Sequence, residues 1–550
     1  MDKKKNIFGE AMQILWRLLV VLVLGAVYFY IQLPAINLQN PELYLFVLVL
    51  VVTYGMLKII SLGILKDIDE DTILTPLIIH NCKIPVSLCA FIAIVALIGF
   101  VVGMPVFRAN EYHRLLSVST GDFATDVEEV SFERIPILDE RSAIRLGNRQ
   151  MGELSDLVGQ FEVSEAYTQI NFRGRPVRVT YLNYGDLFKW WNNRGRGLPA
   201  YITIDMTTQE ANVVRLSDLG LAGIKYSPSE WFNRKLQRHI RFHYPTFMFS
   251  EATFEIDDEG RPWWICPRMI KRIGLFGGVD IQGAVLVDAI TGESSYYEDV
   301  PSWCDRVFVS SLIMQQYNFH GTYINGFLNS LFGQQGVTVT TMGYNYIVME
   351  DDVYMYTGVT SVGKDQSNIG FLLSNQRTKE TTFYAAPGAI EQSARDSAEG
   401  VVQHLRYTTT FPLLLNVSGE PTYFMSMKDA SDLVKQYAMV NVGQYQVVAT
   451  GNTVPECKDN YLRLLAYNGI ADQSDLPQIS QGGVITELYS AVLYGNTQFY
   501  IRLDANPFYY VISLADYEPA AVLKVGDRVS ISHVDEAGEL RRAYSVEKTR

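Results

Sequence analysis

Three apolar runs crowd the first 107 residues of this chain: Leu18–Ile31, Leu43–Ile60 and Pro85–Phe107. The last of them, PVSLCAFIAIVALIGFVVGMPVF, holds no charged residue. At about 1.5 Å of rise per residue, a run of this kind crosses the roughly 30 Å hydrocarbon core of a bilayer as one helix. The runs therefore predict three transmembrane helices within 13–107, behind a short segment 1–12. The first is expected to stay uncleaved, because its apolar core is long and the chain continues through Pro34 into the second run. Residues 108–550 contain no comparable run, so they are expected to fold in water.

Lys and Arg in the short flanks set the orientation of such a bundle. Lys3, Lys4, Lys5 and Arg17 precede or open the first run, 37–42 carries none, and Lys58, Lys66 and Lys83 flank the second connection. Only Arg108 and Arg114 lie close beyond the third. The expectation is an integral protein of the cell membrane with a cytoplasmic amino terminus and residues 108–550 extracytoplasmic. The acidic group Asp67, Asp69, Glu70 and Asp71 lacks the glycine and the distant glutamate of an EF-hand loop and reads as solvated charge.

Residues 1–107 hold as many Lys and Arg as Asp and Glu, so the net charge of −13 falls on the remainder. An acidic surface with no long basic stretch repels phosphates, which excludes nucleic acid as a partner. Aromatic residues make up 12% of the chain, including 33 Tyr and 27 Phe, which favours half-buried β surfaces and predicts a strand-rich soluble part. The five cysteines form no CxxC or Cys/His cluster, so neither a zinc site nor a disulfide framework is indicated. Cys266, Cys304 and Cys457 read as buried structural thiols.

A membrane-proximal segment, 108–170, carries one predicted helix over Asp139–Val158. Beyond it the chain repeats itself. Thr208-Gln-Glu210 matches Thr378-Lys-Glu380, each a polar turn between strand-like runs. His239-Ile-Arg-Phe242 and His404-Leu-Arg-Tyr407 each end a predicted helix. Gly260-Arg-Pro-Trp-Trp264 matches Gly419-Glu-Pro-Thr-Tyr423, and Thr291-Gly292 matches Thr450-Gly451. Helices are predicted after each half, at Trp303–Tyr317 and Glu456–Tyr467, with Cys304 and Cys457 near their starts. These anchors predict two α+β repeats, 171–321 and 337–470. Between them, 322–336 is expected to form a connecting helix with Tyr323, Phe327, Leu328 and Leu331 on one stripe, either interfacial or packed between domains.

The strand, turn and strand of VLVDAITGESSYY, with a helix nearby, resembles PepSY-type modules, which implies small extracytoplasmic α+β units that bind or restrain partner proteins. The whole chain is similar to uncharacterised three-span membrane proteins of Gram-positive anaerobes, some labelled as a colicin V production family. That label supplies no residue-level mechanism.

Residues 471–481 are polar, contain Pro477 and read as a linker. From 482 to 550, five strand candidates separated by Gly, Asn and Pro resemble a small OB-like or SH3-like barrel. The fold class expected overall is α+β: a three-helix anchor, a duplicated PepSY-like ectodomain and a terminal barrel.

Signatures of chemistry are scarce. Gly358-Val-Thr-Ser-Val-Gly-Lys-Asp365 matches the GxxxxGK of a phosphate loop, but Asp365 stands where Ser or Thr would hold magnesium, and its flanks read as strands. No GxSxG, HExxH or GxGxxG occurs. The carboxylate groups Asp257-Asp258-Glu259 and Glu350-Asp351-Asp352 read as hairpin tips. No catalytic residue, cofactor site or metal site is expected. One stretch suggests a surface contact: Arg173, Arg175, Arg178, Lys189, Trp190, Trp191, Arg194 and Arg196 combine forks for anions with residues that favour interfaces. Anionic lipid or a wall polymer would suit it; the alternative is an Arg-edged strand and a helix whose tryptophans are core. The function expected is non-enzymatic: a membrane-anchored binding or scaffold protein with a protein partner outside the cell. A cell-wall or polysaccharide-acting enzyme with an unrecognised carboxylate site is the alternative.

Overall fold

The computed structural model describes every residue except 1, 62–80, 130–134, 153, 155, 350, 363–366, 469, 471–478, 494–495, 505, 515–516, 534–538 and 550. The acidic group at 67–71, the GK of the phosphate-loop lookalike and most of the expected linker lie outside the described residues.

The apolar runs form α1 (Asp2–Gln32), α2 (Pro41–Ser61) and α3 (Lys83–Val102). Each contains a stretch long and apolar enough to cross a membrane, over Ala11–Gln32, Pro41–Ser61 and Lys83–Val102. Their large apolar side chains, such as Leu22, Ile84 and Leu97, are exposed, as a lipid-facing surface requires. The third run is not one helix to its end. Met104 is held extended before Pro105, which opens α4 (Pro105–His113) as its first residue, so the helical hydrogen bonds of α3 stop at Gly103. The Tyr112 hydroxyl then donates to the Gly103 carbonyl at 2.8 Å and fixes the bend.

The chain continues through β1 (Ser119–Gly121) and α5 (Glu140–Gly152) into four antiparallel sheets of one pattern. Sheet I holds β2 (Phe161–Val163), β3 (Thr168–Phe172), β4 (Arg175–Tyr184), β5 (Ala200–Asp205) and β6 (Ala211–Arg215), with α6 (Leu187–Asn193) inserted after β4. After α7 (Leu236–His243), sheet II holds β7 (Met248–Phe249), β8 (Thr253–Ile256), β9 (Pro262–Ile273), β10 (Gly277–Asp288) and β11 (Ser294–Tyr297). After α8 (Ser310–Thr322), sheet III holds β12 (Thr338–Thr340), β13 (Asn345–Met349), β14 (Asp352–Ser361), β15 (Ser367–Asn375) and β16 (Thr381–Ala389). After α9 (Glu391–Val401), sheet IV holds β17 (Thr408–Thr409), β18 (Leu413–Val417), β19 (Glu420–Lys428), β20 (Val434–Asn441) and β21 (Val448–Gly451), followed by α10 (Val454–Tyr467). In every sheet the first and second strands both pair with the third, which pairs with the fourth, which pairs with the fifth. The repeat is therefore a helix and a five-stranded sheet, present four times; the first copy begins at Glu140, ahead of the expected boundary at 171, and the expected second unit, 337–470, holds sheets III and IV.

The local chemistry repeats with the topology. In sheets I, II and III the hairpin between the fourth and fifth strands reads Asp205-x-x-Thr208-x-Glu210, Asp288-x-x-Thr291-x-Glu293 and Asn375-x-x-Thr378-x-Glu380. The first residue's Oδ1 accepts two backbone N–H groups of the turn in each, at 2.8 to 3.0 Å. The threonine hydroxyl accepts the glutamate N–H at 3.2 to 3.3 Å. The residue between them is left-handed, with φ of 62° at Gln209, 80° at Gly292 and 68° at Lys379. In sheet IV the corresponding loop, Asn441–Val447, is longer, and Thr450-Gly451 lies inside β21. Thr291-Gly292 thus corresponds to Thr208-Gln209 and Thr378-Lys379, and its expected match to Thr450-Gly451 is corrected. Cys304 also lies in the loop before α8, whereas Cys457 is inside α10.

The chain divides into two compact units: 1–120 with 136–365 and 371–383, and 121–135 with 366–370 and 384–550. In the first, sheets I and II share one core that includes Ile202, Ile204, Val285 and Val287. Trp264, fully buried there, meets Tyr181 at 4.7 Å and Phe254 at 5.2 Å between ring centres. The spans are fastened to sheet II. Ile36 N–H bonds to the Pro245 carbonyl at 2.8 Å, Gln39 bonds to the Lys271 carbonyl at 2.9 Å, and the buried Arg241 donates to the carbonyls of Leu33 and Phe247 at 2.9 and 2.5 Å. A Cβ on Gly99 would lie 2.6 Å from Leu275 Cδ2, so the glycine admits the β9–β10 tip against the last turns of α3.

In the second unit, β22 (Ile479–Leu493), β23 (Asn496–Leu503), β24 (Tyr509–Ser513), β25 (Arg528–His533) and β26 (Leu540–Lys548) close in the order β22-β23-β24-β26-β25 around Ile501, Tyr510, Ile512, Val529 and Ile531. Only the β24–β26 pairing is parallel.

Candidate functional site

The basic and aromatic stretch does not form one surface. Arg173 and Arg175 flank the tight β3–β4 turn, where φ is positive at both Arg173 and Gly174. Arg173 donates to the Asp258 carbonyl at 2.5 and 3.0 Å, and Arg175 lies 3.7 Å from Asp205. Arg178 is buried, because β4 is covered on both faces, and it is corrected from a surface contact to an interior cation. On α6, Asp186 caps the helix by accepting the Lys189 N–H at 2.9 Å and pairs with its ammonium at 3.3 Å. Trp190 is likewise buried: its indole donates to Glu230 at 2.7 Å, and Glu230 also accepts from the Tyr184 hydroxyl at 2.9 Å. Burial pushes the Glu230 carboxyl up. Trp191 is exposed with the Arg194 guanidinium 3.3 Å above its ring, and Arg196 is exposed beside it. Structure adds Trp231 and Phe232, which meet Trp190 at 6.2 and 5.9 Å. The signal for them was the short SEWFNR segment, forty residues beyond α6 in the chain and adjacent only in space. Glu230→Leu is expected to cost about 2 kcal/mol by leaving the Trp190 and Tyr184 donors unpaired; a red shift of tryptophan emission at lower denaturant would report it.

A cavity of about 880 Å3 opens in the first unit above the ends of α1 and α2. Its charged lining is Glu42, Glu140, Lys235, Arg241, Glu251 and Arg306. Arg306 reaches the Tyr346 hydroxyl at 2.8 Å, and Arg178 feels both Arg306 and the opposite charge of Glu140. The Nε of each arginine, and both amide atoms of the buried Gln169, have no hydrogen-bond partner among the described residues. Of these groups Arg306 alone lines the cavity, where its guanidinium suits a small polar or anionic solute.

Two carboxyls lie behind this wall with no solvent exposure to speak of. Glu255 accepts the N–H groups of Asp305 and Arg306 at 2.9 and 3.1 Å, and Asp305 accepts the Asn171 N–H at 2.6 Å. Burial raises Glu255 to about 7, and burial together with the Glu255 charge raises Asp305 well above the usual carboxylate range. Both oxygens of Glu255 and Oδ2 of Asp305 accept backbone N–H groups, which makes the pair a brace between the loop at 304–306 and strands β3 and β8. The expected hairpin tip at Asp257 is found: its carboxylate accepts from Glu259, Arg261 and Trp263. Asp352 pairs with Arg377 at 2.6 Å. His239 bonds to the Gly292 carbonyl at 2.7 Å, while His404 sits in a 3-10 turn. All five cysteines are free, and burial raises the thiols of Cys266, Cys304 and Cys457, which keeps them protonated and unreactive. No group of three or more His, Cys, Asp or Glu able to hold a metal occurs among the described residues.

No family profile and no curated protein matches the chain. Among solved structures it has a likeness to a levansucrase variant of B. megaterium, at 8% identity over 77% of this chain and 98% of that one, with a TM-score of 0.16. Levansucrase of Bacillus subtilis gives 7% identity over 76% and 96%, with the same TM-score. At that score the likeness carries no argument.

Proposed function

We propose that this is a membrane-anchored binding protein whose sheets, PepSY-like in kind, lie outside the cell and capture a protein partner by its backbone. The observation that carries this reading is the edge of sheet II. The fifth strand of each sheet is treated differently: β1 pairs beyond β16, α5 packs against β6 and α10 against β21, whereas β11, with Ser295 and Tyr297 exposed, ends its sheet with no strand beyond it among the described residues. An open edge of this kind accepts an added strand through main-chain hydrogen bonds. The strand order of β22 to β26, with its single parallel pair, favours an OB-like over an SH3-like reading of the terminal barrel. A photo-cross-linking amino acid at Ser295 is expected to give one discrete adduct in cells that the same residue at Asp218 does not. Equal or absent adducts at both positions would remove the reading. Orientation is tested separately, by protease digestion of 108–550 in intact cells, which a cytoplasmic location would prevent until lysis.

The enzyme alternative draws on one observation, that Glu140 and Glu251 line the same cavity. Hydrolysis of wall polysaccharide by the intact protein, lost in both Glu140→Gln and Glu251→Gln, would favour it over binding.

A further inference from the structure

Away from the spans, the large apolar side chains of the first unit that expose more than half their surface fall on few elements. Phe188 and Trp191 are on α6, Phe232 on the adjoining 3-10 turn, and Phe242 on α7. Leu328, Leu331 and Phe332 are on the helical segment Gly326–Gly333. Ile36, Leu38 and Phe107 sit on connections that leave the spans, and Met342 is the one such side chain elsewhere in that unit among the described residues. Apolar surface of this extent is unfavourable in water, at about 25 cal/mol per Å2.

Both groups are continuous with the ends of the spans. Phe242 meets Phe29 and Tyr30 of α1 at 6.1 and 6.3 Å between ring centres. Arg238 stacks 3.9 Å over Tyr30 and donates to the carbonyls of Tyr30 and Phe232 at 3.2 and 2.7 Å, which ties the 3-10 turn to the last turn of α1. On the other side, Tyr112 of α4, which follows α3 directly, packs against Phe319 and Tyr323 at 4.7 and 6.3 Å, and Tyr323 stacks on Phe327. The two differ in charge. Lys189, Arg194, Arg196 and Arg234 surround the first, while 322–336 contains no charged residue.

We infer that these two patches are lipid-contacting aprons that seat the first unit in the bilayer leaflet adjoining it. The α6 and α7 apron lies at headgroup depth, where Trp is favoured and guanidinium groups meet phosphate; the 326–333 apron enters the acyl region, where an uncharged apolar segment is stable. The occupant is phospholipid, because each patch extends directly from a surface the spans already place in the membrane. The expected role of 322–336 as an interfacial connection is thereby sharpened, and the Arg and Trp stretch gains a lipid ligand through α6 alone, without the β3–β4 turn.

The full chain in vesicles of phosphatidylcholine and phosphatidylglycerol, spin-labelled at Phe188→Cys, Phe332→Cys or the exposed control Asp218→Cys, tests this. The native thiols at Cys82, Cys266, Cys304 and Cys457 are buried, and Cys89→Ala in every variant removes the fifth, which leaves labelling selective. Labels at 188 and 332 are expected to gain accessibility to oxygen and lose it to a water-soluble nickel chelate, relative to 218. Nickel accessibility equal to that at 218 would overturn the inference, and so would shielding from both reagents, the sign of a protein cover. As a check independent of labelling, brominated phospholipid is expected to quench emission that Trp191→Phe removes; undiminished quenching in that variant would place Trp191 away from lipid.

Discussion

Asp288→Ala is expected to destabilise sheet II by about 3 kcal/mol, whereas Asp288→Asn should cost about 1 kcal/mol. Asp288 is buried, and its two oxygens have separate duties. Oδ1 accepts the N–H groups of Ile290 and Thr291 at 2.8 and 3.0 Å, and Oδ2 pairs with Arg261 at 2.5 Å. Alanine removes both and leaves two turn donors and a guanidinium without acceptors. Asparagine keeps the turn, as Asn375 does in the equivalent hairpin of sheet III. Hydrogen exchange of the β10–β11 hairpin in the detergent-solubilised chain measures the difference. Equal losses in the two variants would show that the repeated turn is not what holds the hairpin.

Protection of β8 and the loop at 304–306 is expected to fall as pH rises from about 4.5 to about 7, by about 3 kcal/mol in all. The folded carboxyl of Glu255 holds its proton up to about 7, while the unfolded one releases it near 4.5. Between those values the folded state binds more protons, so stability is complete below the window and is lost as pH climbs through it. Asp305, raised for the same reason, acts in the same direction. Glu255→Gln keeps one acceptor, carries no charge at any pH and relieves Asp305 of its neighbour's repulsion, so most of the slope should vanish. A slope undiminished in Glu255→Gln would assign the titration elsewhere.

The spans were legible because a charge-free apolar run has few ways to be satisfied, and the strand-rich remainder because tyrosine and phenylalanine are so frequent. The repeat was visible in its turns: Thr208-Gln-Glu210 and Thr378-Lys-Glu380 occupy the same place in sheets I and III. Its shorter period is hidden because Thr291-Gly292 looks like Thr450-Gly451, which lies inside β21 rather than in a turn; the key to the period is the Asp or Asn three residues before each threonine. That residue's meaning is its side-chain bond to the turn, which a string of letters does not display. The Arg and Trp stretch failed for a different reason. Alternation places Arg178 on a face of β4 that would be solvated in a lone sheet, and only packing of other elements over that face buries it. Glu230, Trp231 and Phe232 close over Trp190 of α6, while Trp191, one residue on, stays outside.

By itself, then, the sequence determined three helices long and apolar enough to cross a membrane, an acidic β-rich remainder and the turns that punctuate it, since these depend on neighbours a few residues apart. The tertiary structure decided the number of repeats, which cations face water, where the carboxyls of Glu255 and Asp305 meet, and which apolar side chains remain uncovered beside the spans. Those depend on contacts between residues such as Tyr30 and Arg238, some two hundred positions apart, whose pairing is set by how whole sheets and helices pack.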